Sequence, residues 1–247
     1  MFDCIKQMIN YLDPFYTISK EQNLITLTPK DKNYPINSSL IFMHGLGDSG
    51  EGYVNTFQDS SRPVPNTTRV LLPTAPLSPV SFAGGQLMNS WFDFKGFTSE
   101  NDVSQQDIMK NTKMIIELVH QEAKKFNGDY KKVFVGGFSQ GASIALSVGL
   151  NIKEKIGGVV ALSGILFPCS TSQVDVNSKK DLPIYIGHGI QDTMLSYDLA
   201  MESYKFFTEN KFSEVKMKEF DIGHTVNKKE LAEVSDFIYM NSIKYYV

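Results

Sequence analysis

A serine set between glycines is the first candidate for chemistry in this sequence. The motif is G-x-S-x-G, formed by Gly137-Phe138-Ser139-Gln140-Gly141. It follows the apolar run 133–135 and precedes a helix-like run over 142–150. Glycines on both sides permit a tight turn from strand to helix, which lifts the serine hydroxyl above the edge of a sheet, and the helix N-terminus favours developing negative charge. This context indicates that Ser139 is a nucleophile rather than part of an ordinary glycine-rich turn.

A nucleophilic serine needs a general base, and the chain contains four histidines. With this kind of turn the expected order along the chain is serine, acid, histidine. His44 and His120 precede Ser139, and His188 stands at the end of the apolar run 184–186. His224 lies farthest downstream, just after the last predicted strand, where catalytic loops gather in open α/β sheets. His224 is therefore the predicted base.

The acid must orient the imidazole and stabilise its charged form. Candidates between the serine and the base include Asp175, Asp181, Asp192, Asp198 and Asp221. Asp192 comes directly after a buried strand, whereas Asp181 precedes that strand and Asp198 fits the start of a helix. We therefore predict Asp192 as the acid, with Asp221 as the main alternative.

The segment Gly45-Leu46-Gly47-Asp48-Ser49-Gly50 admits two interpretations. It matches the dinucleotide-binding pattern G-x-G-x-x-G, but that pattern also needs an acid about 20 residues further on, after the next strand. The stretch 70–76 contains none, and Asp48 would repel a pyrophosphate. As a loop after an early strand, the segment instead suits an oxyanion hole. We predict that the backbone N–H groups of Leu46 and Gln140 are the two donors.

Short apolar runs alternate with amphipathic helical patterns, which predicts an α/β fold with a mainly parallel central sheet flanked by helices. The predicted buried strands are 40–43, 70–72, 133–135, 159–162 and 184–186, with an edge strand at 24–27 and a last strand at 215–220. One helical face joins Ile108, Thr112, Ile115, Ile116, Val119 and Ala123, and another joins Leu231, Val234, Phe237 and Ile238. We predict one domain over 36–247, preceded by an extension over 1–35.

The stretch 73–105 interrupts this alternation. It contains three prolines, a pair of glycines and the aromatic residues Trp91, Phe92, Phe94 and Phe97. An ordered loop of this length is often functional. The aromatic side chains either fix the loop to the core or line an apolar ligand groove.

Composition excludes several classes of protein. The chain has 247 residues, 42% of them hydrophobic, and a net charge of −3 without a basic stripe, which argues against disorder and against nucleic-acid binding. Its two cysteines are far apart, so neither a zinc site nor a disulfide scaffold is expected. Charged residues interrupt the N-terminal region and no apolar run is long enough to span a bilayer. We expect a cytoplasmic protein.

Several segments, in order over residues 36–245, resemble the acyl-protein thioesterase/lysophospholipase family of serine hydrolases. They are His44-Gly45-Leu46-Gly47-Asp48-Ser49-Gly50, Pro73-Thr74-Ala75-Pro76, Ser90-Trp91-Phe92-Asp93, the elbow motif, Ala161-Leu162-Ser163-Gly164, His188-Gly189 with Asp192, and Gly223-His224. The resemblance implies an α/β-hydrolase fold, the triad Ser139, Asp192 and His224, and oxyanion donors at Leu46 and Gln140. It implies cleavage of long-chain acyl thioesters from S-acylated proteins without a metal or organic cofactor. Oxygen-ester hydrolysis, as by a carboxylesterase or lysophospholipase, and a non-catalytic binding protein are the alternatives.

The segments that resemble the border of the family's acyl channel differ from the common pattern. Thr193-Met194-Leu195-Ser196 replaces the usual Pro-Leu-Val-Pro after the acid, and 165–167 replaces a bulky aromatic residue. The surroundings remain apolar. The predicted substrate-binding residues are Leu77, Phe82, Trp91, Ile165, Leu166, Met194 and Leu195.

The extension over 1–35 lies outside most of this resemblance. Phe2, Ile5, Ile9 and Leu12 have helical spacing, with Cys4 nearby. We expect a short helix packed on the domain; the alternative is a membrane-surface helix, S-acylated at Cys4, that gives transient membrane association.

Overall fold

The structure, a computed structural model, describes residues 15–31, 35–96 and 102–244. Its strands are β1 (Tyr16–Glu21), β2 (Leu24–Pro29), β3 (Ser38–Met43), β4 (Thr68–Pro73), β5 (Leu77–Val80), β6 (Gln86–Asn89), β7 (Val133–Phe138), β8 (Gly158–Leu162), β9 (Ile184–Gly189) and β10 (Val215–Phe220). Its α-helices are α1 (Gly50–Gln58), α2 (Gln105–Ala123), α3 (Gln140–Asn151), α4 (Tyr197–Glu209) and α5 (Lys228–Ile243).

Eight strands form one sheet in the order β1-β2-β4-β3-β7-β8-β9-β10, and β5 and β6 form a separate hairpin. The pairs from β4 through β3 to β10 are parallel, and the two pairs that involve β2 are antiparallel. The predicted α/β fold with a mainly parallel sheet is confirmed. The register aligns Phe138 with Leu162 and Phe220 with Gly189 at the carboxyl ends of their strands. Loops that leave these ends therefore meet at one edge of the sheet.

Two apolar cores cover the two faces of the sheet. In β3, Leu40 and Phe42 belong to one core, while Ile41 and Met43 belong to the other, as the period of a strand requires. Helices α2, α3 and α4 cover the face that contains Ile41, whereas α1 and α5 cover the opposite face. The central strands are apolar on both sides because helices bury both.

Helices α2 and α5 begin at polar caps. The side chain of Ser104 accepts a hydrogen bond from the Asp107 N–H, and that of Asn227 accepts one from the Glu230 N–H. The predicted apolar face of α2 is buried at Ile108, Ile115 and Val119. The face of α5 is buried at its predicted positions as well, with Leu231 partly covered. These helices position the loops that precede them.

The N-terminal part of the chain differs from expectation. The strand predicted at 24–27 exists as β2, but it is not at the edge because β1 pairs with its outer side. β1 escapes sequence analysis because Tyr16 is its one buried residue. The described part of the extension predicted at 1–35 thus contributes two strands to the main sheet. The predicted helix around Cys4 lies outside the described residues.

Within residues 15–31, 35–96 and 102–244, no helix combines the length and hydrophobicity needed to cross a bilayer.

The carboxyl group of Glu230, in the first turn of α5, lies in the core against β9. Glu230 is fully buried, and in the part of the chain that the structure describes its carboxyl group has no hydrogen-bond partner apart from the Asn227 N–H. A Cβ at Gly187 would lie 2.2 Å from its Oε1, so glycine at that position makes room for the carboxyl group. Burial raises the pKa of Glu230 to about 7 from an ordinary value of 4.5.

The packing of α5 predicts unequal effects of two substitutions in that helix. Ile238 is fully buried, whereas Met240 is exposed. Ile238→Ala should lower the free energy of unfolding by about 2–5 kcal/mol, and Met240→Ala by less than about 0.5 kcal/mol. Urea unfolding measures both, and equal effects would contradict the assigned face.

Burial of Glu230 predicts a pH dependence of stability. Because the folded-state pKa exceeds that of the unfolded chain, the free energy of unfolding should fall as pH rises through about 7. The loss at this site should be about 2–3 kcal/mol between about pH 5 and about pH 8.5. Glu230→Gln should remove this part of the decline, and substitution of the exposed Glu209 by Gln should not. A decline that is unchanged in Glu230→Gln would refute the prediction.

Candidate active site

Ser139 occupies a strained turn between β7 and α3. Its φ of 55° and ψ of −120° lie outside the regions that most residues adopt. The turn closes because its flanking glycines lack side chains: a Cβ at Gly137 would lie 2.4 Å from the carbonyl carbon of Gly141, and one at Gly141 would lie 2.2 Å from the Met43 oxygen. The Ser139 N–H donates to the Leu162 oxygen at 2.9 Å. This geometry is that of a nucleophile elbow.

The hydroxyl of Ser139 contacts His224. The distance between Ser139 Oγ and His224 Nε2 is 2.9 Å, and that between His224 Nδ1 and Asp192 Oδ2 is 2.7 Å. An ionised carboxylate can only accept, so Nδ1 carries the proton and donates to it. Nε2 of the neutral ring is then an acceptor for the Ser139 hydroxyl. The structure thus brings together the three residues that sequence analysis selected.

The other oxygen of the Asp192 carboxylate is held by the backbone. Asp192 Oδ1 accepts the N–H groups of Met194 and Leu195, each at 2.9 Å. Its side chain is fully buried. Asp192 lies three residues after the end of β9, and its N–H donates to the Gly189 oxygen at 3.2 Å. The carboxylate is therefore fixed on both oxygens and aimed at His224.

The competing aspartates lie elsewhere. Asp221 is exposed and accepts a hydrogen bond from Gln191 Nε2 at 2.6 Å. Asp181 pairs with Lys155 on the surface, and Asp198 lies in the first turn of α4. Asp175 caps a short 3₁₀ turn. None of these aspartates is placed against His224 in the described structure.

His44 supports the loop that would form the oxyanion hole. Its Nε2 accepts the Ala75 N–H at 2.9 Å, so Nδ1 carries the proton and donates to the Gly45 oxygen at 2.6 Å. Burial lowers the pKa of His44, which keeps the ring neutral. The indole N–H of Trp91 donates to the His44 oxygen at 2.8 Å. These bonds fix the chain just before Leu46.

Residues 45–48 form a turn, and Asn89 at the end of β6 is hydrogen-bonded to it. The Asp48 N–H donates to the Gly45 oxygen at 3.3 Å, and Gly47 adopts a φ of +77° that favours glycine. The Asn89 oxygen accepts the Gly47 N–H at 2.9 Å, and Asn89 Nδ2 donates to the Asp48 oxygen at 2.8 Å. Leu46 thereby faces the cavity beside Ser139. Sequence analysis did not identify Asn89, because its partners lie about 40 residues away.

The Gln140 side chain has a second role that the motif does not indicate. Its Oε1 accepts the Trp91 N–H at 3.0 Å, and its Nε2 donates to the Phe92 oxygen at 2.9 Å. These bonds join the elbow to the segment after β6. A glutamine directly after a nucleophilic serine is the available signal, but its partner cannot be read from the sequence.

The glycine pattern at 45–50 is explained by packing. A Cβ at Gly50 would lie 2.4 Å from the Leu72 oxygen, so glycine allows α1 to approach β4 closely. Gly47 serves the turn described above.

No group of three or more His, Cys, Asp or Glu side chains within the described stretches is arranged to hold a metal ion.

A cavity of about 240 Å³ opens at Ser139. Apolar side chains dominate its wall, which is formed by Gly45, Leu46, Asp48, Tyr53, Phe94, Phe138, Ser139, Gln140, Met194, Leu195 and His224. Of the residues predicted to bind substrate, Met194 and Leu195 are in this wall. Ile165 and Leu166 line a separate groove of about 270 Å³ with Leu199 and Phe206.

Three other predicted substrate-binding residues are not in either wall. Trp91 is 0% exposed, because its ring fills the core and its N–H is bonded to His44, so it does not line the cavity. Leu77 and Phe82 are 65% and 59% exposed on the hairpin. Phe82 stacks on Phe94, which does line the cavity, with ring centroids 5.1 Å apart. The aromatic cluster therefore both fixes the loop and, through Phe94, forms the cavity; Phe97 lies outside the described residues.

Comparison with known proteins identifies relatives with this architecture. The family model described as Phospholipase/Carboxylesterase matches residues 28–242. Acyl-protein thioesterase 1 of Candida albicans is 32% identical over 212 residues, which cover 81% of this chain and 90% of the relative. Acyl-protein thioesterase 1 of Saccharomyces cerevisiae is 32% identical over 219 residues, which cover 84% of this chain and 94% of the relative. The crystal structure of Zea mays acyl-protein thioesterase 2 has a TM-score of 0.73 at 23% identity and covers 89% of this chain and 98% of its own, which shows the shared fold.

The match includes the strands from β3 to β10, the elbow and both loops that carry Asp192 and His224, and it confirms the resemblance found in the sequence. Because the family model extends over most of the chain and relatives cover it at this identity, the chain belongs to the phospholipase/carboxylesterase family and is a hydrolase.

Proposed function

We propose that the protein removes long-chain acyl groups from S-acylated proteins by hydrolysing their thioesters through an acyl-enzyme on Ser139. The hydrogen-bonded series from Ser139 through His224 to Asp192, at the mouth of an apolar cavity, is the observation that carries the proposal. The names of the relatives, acyl-protein thioesterases, support the choice of substrate.

In the first step His224 Nε2 takes the proton of the Ser139 hydroxyl while Oγ attacks the thioester carbonyl carbon. The contact of 2.9 Å between these atoms supports direct proton transfer. The N–H groups of Leu46 and Gln140 then stabilise the oxyanion, each donor contributing about 100- to 1000-fold in rate. The anionic Asp192 stabilises the imidazolium that forms.

Collapse of the tetrahedral intermediate breaks the carbon–sulfur bond, and the substrate cysteine leaves as a thiol with the proton from His224, which makes the imidazole neutral again. Water then attacks the acyl-enzyme, and His224 takes a proton from it. The bond between the acyl carbon and Ser139 Oγ then breaks, the fatty acid leaves, and His224 returns the proton to Oγ. Apart from the attacking water, the groups that act in these steps belong to the described chain.

The walls of the site support an acyl chain as the ligand. Phe94, Phe138 and Met194 give the cavity an apolar lining beside Ser139. The separate groove at Ile165 and Leu166 offers a second apolar surface. Since S-acyl groups anchor proteins to membranes, the same proposal places the protein in the cytoplasm, in transient peripheral contact with membranes.

Hydrolysis of oxygen esters or lysophospholipids is the second candidate, because the matching family model is described as Phospholipase/Carboxylesterase. The same groups serve both reactions. Turnover of a palmitoyl-cysteine peptide, lysophosphatidylcholine and a short p-nitrophenyl ester under the same conditions separates the two. A preference for the thioester of at least about tenfold in kcat/KM supports the first proposal, and the reverse preference supports the second.

Ser139→Ala tests the nucleophile. We expect loss of labelling by a fluorophosphonate probe and a fall in kcat of at least about 1000-fold, because the variant lacks the hydroxyl that would form the acyl-enzyme. Ser19→Ala on the exposed side of β1 is the control and should label normally. Labelling that persists in Ser139→Ala would refute the assignment; a folded wild type that never labels would favour a non-catalytic binding protein.

Asp192→Asn and Asp221→Asn compare the two candidate acids. Asp192→Asn should lower kcat by about 10⁴-fold, because an amide no longer enforces the tautomer of His224 that accepts the Ser139 proton. Asp221→Asn changes an exposed residue and should stay within about twofold. Equal losses, or a larger loss at residue 221, would overturn the choice of acid.

Met194→Lys tests the acyl cavity. Met194 lines the cavity, and a lysine there should lower kcat/KM for an octanoyl ester about tenfold while an acetyl ester stays within about threefold. Leu77→Lys changes a residue outside the cavity and should alter neither rate with soluble esters. Steady-state kinetics on p-nitrophenyl esters provide the measurement. An equal loss on both esters in Met194→Lys would contradict acyl binding at this wall.

A further inference from the structure

His188 is a buried imidazole that the proposed reaction does not use. It lies near the end of β9 and is fully buried. Its Nε2 is 2.8 Å from the Leu195 oxygen and 3.4 Å from Asp192 Oδ2. It therefore lies beside the Asp192 carboxylate, and both side chains are shielded from solvent.

The partners of His188 define its protonation. A carbonyl oxygen can only accept, so Nε2 carries a proton and donates to Leu195. Nδ1 is buried and has no partner among the residues that the structure describes. This is consistent with a ring nitrogen that carries no proton. The titratable groups that face the ring are Asp192, His224 and Tyr197, the last from α4 with ring centroids 6.4 Å apart. Burial outweighs the attraction of Asp192 and lowers the pKa of His188, so the ring is neutral.

The hydrogen bond from His188 to Leu195 belongs to a short series that ends at the Asp192 carboxylate. Leu195 donates its N–H to Asp192 Oδ1 at 2.9 Å and accepts from His188 with its oxygen at 2.8 Å. One residue is thus held at both ends of its backbone, between the carboxylate and β9. Rotation of the carboxylate would break the bonds to Met194 and Leu195.

Neutrality of the ring matters as much as its donor. A charged imidazolium at 3.4 Å from Asp192 Oδ2 would compete with His224 for the carboxylate. A neutral ring orients the 192–195 turn and leaves the negative charge to His224. A leucine in its place could fill the same volume, but it could not donate to Leu195.

We propose that His188 is a positioning residue: its Nε2–H fixes Leu195 and thereby aims the Asp192 carboxylate at His224. This inference rests on the proposed function, since it assigns Asp192 the role of orienting the base.

Three substitutions separate the donor from the volume of the ring. Glutamine carries an amide N–H as many bonds from Cβ as Nε2 of histidine, whereas the N–H of asparagine is one bond shorter and corresponds to Nδ1. We expect His188→Gln to retain kcat on p-nitrophenyl octanoate within about threefold, and His188→Asn and His188→Leu to lose about 10- to 100-fold, the scale seen when outer supporting partners are removed from metal ligands. KM should change little, because His188 does not line the cavity.

Two further measurements test whether His188 acts through Asp192. The His224 Nδ1 proton, in its 2.7 Å bond to Asp192, should give a low-field proton NMR signal in wild type and His188→Gln that is lost or shifted in His188→Asn and His188→Leu. In the Asp192→Asn background, His188→Leu should cost less than about threefold more, since the group it positions is already impaired.

Equal activity of the Gln, Asn and Leu variants, an unchanged NMR signal in all of them, or a full additional loss in the Asp192→Asn background would overturn the proposal. If His188→Leu fails to fold in thermal unfolding, the comparison of Gln with Asn decides, since both are polar and similar in size. The NMR signal needs no substrate, so it tests the positioning of Asp192 even if Ser139→Ala retains activity and the proposed function fails.

Discussion

The parallel pairing of β7, β8, β9 and β10 is the constraint on which the site depends. Ser139 follows β7, Asp192 follows β9, and the loop with His224 follows β10, so their strands end at the same edge of the sheet. The intervening β8 contributes the Leu162 oxygen that anchors the Ser139 N–H. Three side chains that are remote in sequence can meet within hydrogen-bonding distance because the sheet fixes the starting point of every loop.

Backbone groups hold the polar side chains around the site. Asp192 is bonded to two N–H groups, Gln140 bonds the backbone of 91–92, and His44 bonds Gly45 and Ala75. Such bonds satisfy buried polar atoms that would otherwise destabilise the fold. Burial also distinguishes the histidines, because it lowers the pKa of His44 and His188, while the side chain of His224 stays 18% exposed at the cavity wall. The buried rings therefore position loops without taking up charge.

The parts that sequence analysis could predict are those with a local signal. Continuous apolar runs indicate strands that are buried on both faces, and the order of motifs along the chain led to Ser139, Asp192 and His224 as neighbours in space. β1 has one buried residue and the hairpin strands β5 and β6 have four residues each, so neither gives a clear pattern. Aromatic residues suit apolar grooves, which favours a place for Trp91 at the substrate. Its environment instead depends on His44 and on Gln140 in the elbow, each about 50 residues away in sequence. The role of Asn89 depends in the same way on contacts distant in sequence.

The close approach of Gly141 to the Met43 carbonyl has a consequence for variation within this architecture. With 2.2 Å to a hypothetical Cβ, even a methyl group would force the elbow away from the strand that leads into the oxyanion turn. The chemical centre is thus confined to one arrangement, whereas Phe94 and Met194 stand on segments outside the main sheet. Evolution, or a protein engineer seeking to accommodate a bulkier acyl group, must remodel those peripheral segments and leave the glycine contact untouched.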